Sequence, residues 1–151
     1  MTSELNPTLK GRSAARLGAV QALYQLDIEP TDPRVVISQF INTRFNKPDQ
    51  YYMKKPDVQL FEGLIVGWHG NRDHIDGLII QVLSKDWPFE RIESVLRAIL
   101  RCGTYELDGY PDTPKAVIIN EYVNLTKTFY DGQEPGFINA SLDKLAQLLG
   151  R

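Results

Sequence analysis

The stretch "RSAARLGAVQALYQLDI" (residues 12–28) decides the fold class. Ala15, Ala19, Ala22, Leu23 and Leu26 fall on one face at the helical period, and their small side chains admit a second helix at close range. Arg12 and Arg16 lead in the same angular sector as Ala19 and Leu23, at the N-terminal end of that stripe. An arginine there cannot be buried without a partner, so the first turn is expected to project past the body of the fold or to meet a charged group. An anionic ligand suits the arrangement, because a helix N-terminus favours negative charge and a guanidinium grips phosphate through a planar fork. The plainer alternative is a solvated first turn with an incidental salt bridge. Gln21 and Tyr24 sit at the edge of the apolar face, where a tyrosine either stacks an unpaired base or is a boundary residue with a wet hydroxyl.

Helical periodicity extends over the rest of the chain. "VVISQFINTRF" (35–45) places Val36, Ile37, Phe40, Ile41 and Phe45 on an apolar face after the break at "EPTDPR", and residues 46–57 read as a loop rich in lysine and tyrosine. Val58 to Ser84 reads as two helices broken near "HGNRD", with Gly70-Asn71 as the cap and Asp73 in the next first turn. A long helix is expected from near Pro88 to "YPDTP", with Ile92, Leu96, Ile99 and Tyr105 inward. Thr113-Pro114 then offers a cap followed by a helix-starting proline, leading a helix with Val117, Ile118, Tyr122, Leu125 and Phe129 inward. A last helix begins at "FINASLDKLAQLL". The reading is all-α, a bundle of about seven helices. The polar residues 1–9 form a flexible tail, and 10–151 a single domain.

Composition narrows the function. With 151 residues, 42% of them hydrophobic, the chain has material for one core. No apolar run is long enough to span a bilayer, so a cytoplasmic protein without a membrane partner is expected. The single cysteine, Cys102, lies among apolar residues and reads as a small core residue. Net charge is −2, yet residues 1–55 hold eight basic against five acidic side chains, net +3, and the remainder nine against fourteen, net −5. An anionic partner should prefer the N-terminal part.

Catalytic signatures are missing. There is no phosphate-binding glycine loop, no nucleophile elbow and no zinc-spaced cysteine pair, so no cofactor and no enzymatic activity are expected. His69 and His74 are five apart across a helix break, a spacing for a solvated junction more than for a metal. Binding becomes the leading class. Phe137 lies one residue off the Ile138, Leu142, Leu145 stripe, either as a platform for an unpaired base or as a hydrophobic staple. Lys54-Lys55 beside Tyr51-Tyr52 is a basic and aromatic loop of low specificity.

Together, "RSAARLGAVQALYQLDI", "SVLRAILRCGTYELDGYPDTPKAVIINEYVNLTKTF" (94–129) and "GFINASLDKLA" (136–146) resemble the NusB family of transcription antitermination factors. The resemblance covers the first helix and nearly everything from Leu60 to Ala146, leaving about Glu29 to Val58 with little to compare. It implies a helical bundle of two subdomains without enzymatic activity. It also implies binding of single-stranded boxA RNA jointly with NusE, a small-subunit ribosomal protein, and entry of the pair into an antitermination complex on RNA polymerase. Matched position by position, the RNA-binding residues would be Arg12, Arg16, Gln21, Tyr24, Arg101, Lys127, Phe137 and Asn139. Ser13 and Ala14 stand where the family often has arginine, and Lys10 is a substitute cation. A helical interaction module, similar to the NusB-like domain attached to ribosomal RNA methyltransferases, is the alternative. The small residues of the first helix would also serve a homodimer, and the sequence leaves monomer and dimer open.

Overall fold

The computed structural model describes residues 11–46 and 55–151. Among them are seven α-helices and no strand. The chain divides into two compact units, Met1–Val66 and Gly67–Arg151.

In the first unit, α1 (Gly11–Ile28) is buried along most of its circumference, Ala14 and Ala15 through Leu26. Asp32 caps α2 (Pro33–Gln39) by accepting from the Arg34 amide at 3.0 Å, and Pro33 occupies the first position, where its missing N–H costs nothing. The sequence reading runs a regular helix to residue 45. Instead α2 widens into a π-helical turn over Phe40–Arg44, closed by the Phe45 amide on the Phe40 carbonyl at 3.0 Å. One extra residue in that turn brings Phe45 back beside Phe40, with ring centroids 6.1 Å apart edge-to-face. Both rings meet Phe61, at 5.5 and 4.7 Å. Ile41 is left half-buried, where a regular helix would have turned it inward. The aromatic trio rests on α1 at Gly18, where a Cβ would lie 2.8 Å from Phe45 Cζ and 3.2 Å from Phe61 Cδ1.

Helix α3 (Val58–Gly70) starts at Asp57, whose Oδ1 accepts from the Leu60 amide at 3.0 Å. The boundary between the units falls after Val66, within this helix. Its end is closed by Asn71, whose side-chain amide donates to the Gly67 carbonyl at 2.8 Å. The expected cap at Gly70-Asn71 therefore works through the asparagine side chain.

In the second unit, α4 (Arg72–Val82) is followed by a single 3₁₀ turn, Phe89–Arg91, where the sequence suggested the start of a long helix. Pro88 and Ile92 have extended backbone on either side of that turn. Helix α5 (Ser94–Gly109) starts only after Glu93, which caps it by accepting from the Val95 amide at 2.6 Å. Helix α6 (Lys115–Phe129) begins one residue later than the Thr113 cap implied. The Pro114 carbonyl accepts the first helical N–H groups, while the Thr113 carbonyl accepts from Arg151 at 2.5 Å. Helix α7 (Glu134–Leu148) completes the unit.

Helix α5 packs against α4, α6 and α7. Its buried face carries a short polar chain: Tyr122 Oη donates to Glu106 Oε1 at 2.7 Å and lies 3.2 Å from Cys102 Sγ. Two residues expected inward are exposed. Val117 is a full helical step from Ile118, and Ile119 takes the inner place; Phe129 is in phase with Tyr122 and Leu125 but stands in the last turn of α6. Tyr130, just beyond, donates to Glu93 and thereby ties the end of α6 to the cap of α5. Burial first, and the neighbouring carboxylate second, push its phenol well above the ordinary range.

At Gly67, α3 passes under the ring of Tyr105: a Cβ would lie 2.0 Å from Tyr105 Cζ. Gly67→Ala is expected to lower stability by about 1–3 kcal/mol despite the better helix propensity of alanine. Gly77→Ala in α4, where nothing lies within 4 Å, is expected to raise it by up to about 1 kcal/mol. Urea unfolding of the two variants beside the wild type checks the opposite signs.

Candidate nucleic-acid interface

In the first unit, α1 exposes Arg12, Tyr24 and Ile28 and leaves Ser13 and Gln21 half-buried, with buried Leu17 between those two. Ser13, Gln21 and Tyr24 lie within about 80° of one another on the helix, and Tyr24 is 39% exposed. Arg12 is exposed at the first turn, with its guanidinium 3.9 Å from Asp57 Oδ2, a loose pair. Asp57 also fastens the starts of α1 and α3 together, since its amide donates to the Gly11 carbonyl at 3.0 Å. Arg16 departs from expectation. It is 2% exposed and engaged within the chain, so the second arginine of the lead-in points into the fold and the first turn does not project. Ala14 is fully buried, so the position where the family often has arginine faces inward here. Sequence reasoning missed Arg44, which donates to Gln21 Oε1 at 3.2 Å from the π-helical turn. Lys10 and the Tyr51–Lys54 stretch lie outside the described residues.

In the second unit, the four expected residues have three different settings. Arg101 makes a two-pronged ion pair with Asp76, Nε to Oδ1 at 2.9 Å and Nη2 to Oδ2 at 3.0 Å. Its guanidinium carbon lies 5.5 Å from the Trp68 ring centre and 5.2 Å from that of Phe89. Only 12% of the side chain is exposed, so in this conformation Arg101 fastens α5 to α4 and does not offer its fork to solvent.

Phe137 is half-buried, and its stacking partner is neither on the preceding helix nor the residue before the α7 cap. Its ring stacks on Trp87 with centroids 4.9 Å apart and planes 25° from parallel. Trp87 is itself 46% exposed, and the pair lines a half-open cavity of about 360 Å³ with Leu96, Gln133 and Glu134. Trp87 carried no helical period because it stands in the turn between α4 and α5; its signal was a lone tryptophan before a proline.

Asn139 lines a separate cleft of about 300 Å³ between α6 and α7, with Asn120, Val123 and Asp143 among its walls. Asn120, Val123 and Lys127 lie within about 60° on α6, so exposed Lys127 continues the line of that cleft. The site residues of this unit thus divide into an aromatic cavity at one place and an amide-lined cleft at another.

The histidines have separate settings. His74 Nε2 is 3.2 Å from Asp108 Oδ2 on the surface, and His69 lies edge-on to Trp68. Among the described residues no group of three or more His, Cys, Asp or Glu is placed to hold a metal ion. No helix of the described residues is long and apolar enough to cross a membrane.

The class these features define is an all-helical protein of two units whose candidate binding side chains are cations, amides and aromatics. The NusB family model matches residues 13–147, and the chain belongs to the NusB family. The transcription antitermination protein NusB of Brucella ovis is 41% identical over 149 residues, covering 98% of this chain and 87% of that protein. The Brucella anthropi protein of the same name is 42% identical over 146 residues, covering 96% and 87%. Among solved structures, NusB of T. maritima gives a TM-score of 0.77 at 29% identity, with 91% and 92% of the two chains covered. A structure of antitermination factors NusB and NusE in complex with dsRNA gives 0.75 at 22% identity, covering 90% and 96%, a likeness of fold.

The setting of Arg101 predicts its behaviour. Asp76→Ala, which leaves the guanidinium between two aromatic rings without its carboxylate, is expected to cost about 1–3 kcal/mol in urea unfolding. Lys127→Ala, on the exposed face of α6, should change stability by less than about 0.5 kcal/mol.

Proposed function

We propose that this chain is a transcription antitermination factor that binds the single-stranded boxA element of nascent ribosomal RNA together with NusE and acts, in the cytoplasm, within an RNA polymerase complex. The observation that carries this reading is family membership over residues 13–147, with relatives of about 41% identity that are transcription antitermination proteins. A related fold in complex with NusE and RNA supports the choice of partners.

The roles follow from the settings. Arg12, Lys10 and Lys127 supply phosphate contacts, which position the RNA and carry the salt dependence. Gln21 and Asn139 present amides to base edges, and Tyr24 and Phe137 offer rings to unpaired bases, Phe137 with Trp87 behind it. Arg16 and Arg101 act as positioning residues, because one is buried and the other is held by Asp76. Those same two settings favour a second reading, a NusB-shaped interaction module without RNA binding of its own, since they withdraw two cations from the surface.

Fluorescence anisotropy of a labelled single-stranded boxA RNA and a scrambled control, with and without NusE, separates the readings. Preference for boxA, strengthened by NusE, is expected. Phe137→Ala should reduce the discrimination about tenfold, in keeping with a stacking contribution of about 1–3 kcal/mol per base. Arg12→Ala should weaken both RNAs alike. No preference in either condition leaves the interaction module.

A further inference from the structure

The first unit contains four arginines, and the structure employs them differently. Arg34 pairs with Asp32 at 2.9 Å, Arg12 stands 3.9 Å from Asp57, and Arg16 is buried. Arg44 is exposed, and its partners among the described residues are neutral. Its Nη1 donates to Gln21 Oε1 at 3.2 Å, and its guanidinium carbon lies 4.5 Å from the centre of the Phe40 ring.

The backbone explains why the head is held there. Arg44 ends the π-helical turn, whose i to i+5 bond joins the Phe45 amide to the Phe40 carbonyl. The Phe40 ring is fixed in turn by Phe45 and Phe61, so the guanidinium rests on an immobile platform. A cation at the end of a helix also meets the negative end of its dipole. A guanidinium has five N–H donors, and a hydrogen bond from one nitrogen to the Gln21 amide oxygen leaves the fork capable of a further planar contact. Tyr24 follows Gln21 by three residues, which sets it next along the same surface of α1. A positive charge with no carboxylate among its described partners therefore stands beside an amide and an exposed phenol ring.

We infer that Arg44 is a backbone-phosphate contact for a single-stranded RNA lying along Gln21 and Tyr24, and that it orients the Gln21 amide by holding its oxygen. This rests on the antitermination reading above. It relocates the cation that the lead-in "RSAAR" withholds, since Ala14 and Arg16 face inward and Arg44 comes to the same helix surface from the following element.

The test is anisotropy of labelled boxA and scrambled RNA over a range of salt with wild type, R44A, R44Q and R44K. Both neutral variants should weaken both RNAs alike, by about threefold to tenfold, and should make the slope of log affinity against log salt shallower by about 0.7. R44K should restore the slope but only part of the affinity, because an ammonium lacks the fork. The slope depends on the charge lost and not on the folded fraction, so a variant that merely folds less well shifts affinity without changing it. A wild-type slope in R44A and R44Q overturns the phosphate contact, as does a loss confined to boxA at unchanged slope. If the wild type itself binds neither RNA at any salt, the antitermination reading fails and takes this assignment with it; a binding wild type with unaltered R44A removes this assignment alone.

Discussion

Burial of the first helix almost all round is the constraint on which the first unit depends. Alanine and glycine along α1 let neighbours approach to backbone range, and Gly18 takes the edge of the Phe40, Phe45 and Phe61 cluster where any side chain would collide. A helix committed to packing in this way has little surface left for work. Arg12, Tyr24 and Ile28 are exposed and Gln21 is half-buried, while Arg16, the second arginine of the lead-in, is enclosed. The cation beside Gln21 comes from the neighbouring π-helical turn as Arg44, while Arg12 stands at the start of α1 itself.

The second unit solves the same problem with polar groups that hold helices together. Asp76 and Arg101 link α4 to α5, and a guanidinium between two aromatic rings gains from both the ion pair and the ring faces. Tyr122, Cys102 and Glu106 bring a hydroxyl, a thiol and a carboxylate into one buried chain between α5 and α6. Arg151 reaches back to the carbonyls of Leu107, Pro111 and Thr113, satisfying acceptors at the end of α5 and in the following turn. Unpaired carbonyls are costly, so a guanidinium that serves one at the end of α5 and two in the turn helps fix the geometry from which α6 starts.

The helices were legible in the sequence because each carries several apolar residues at the helical period, and periodicity survives small errors at the ends. Their starts were less legible. Thr113 looked like a cap, but its carbonyl serves Arg151 and Pro114 takes the cap position; Pro88 looked like a helix start, but Glu93 holds that role through a side-chain contact no pattern announces. The π-helical turn was invisible because five residues in a widened turn read the same as four in a regular one. For the functional residues the lesson is sharper. A residue type at a matched position says nothing of whether a carboxylate lies across from it, so Arg101 reads as an RNA-binding residue until Asp76 is seen 2.9 Å away. Trp87 and Arg44 went unnoticed for the converse reason: both stand in turns, without period, and gain meaning only from Phe137 and Gln21 across from them.

Charge decides how such a surface can work. With a net charge of −2 the chain has no long-range pull on a polyanion, and at physiological salt fields fade within about 8 Å. On the antitermination reading, attraction therefore acts only where a phosphate comes within reach of an individual exposed cation such as Arg12, Arg44 or Lys127. Affinity then rests on stacking and amide contacts at Tyr24, Phe137 and Gln21, terms that depend on which bases are unpaired and presented. On that reading a binder with little net charge gains its preference from those contacts, since wrong sequences gain little from electrostatics alone. A second subunit that adds its own phosphate contacts would raise affinity without weakening that preference, which is a physical argument for the joint binding with NusE proposed above.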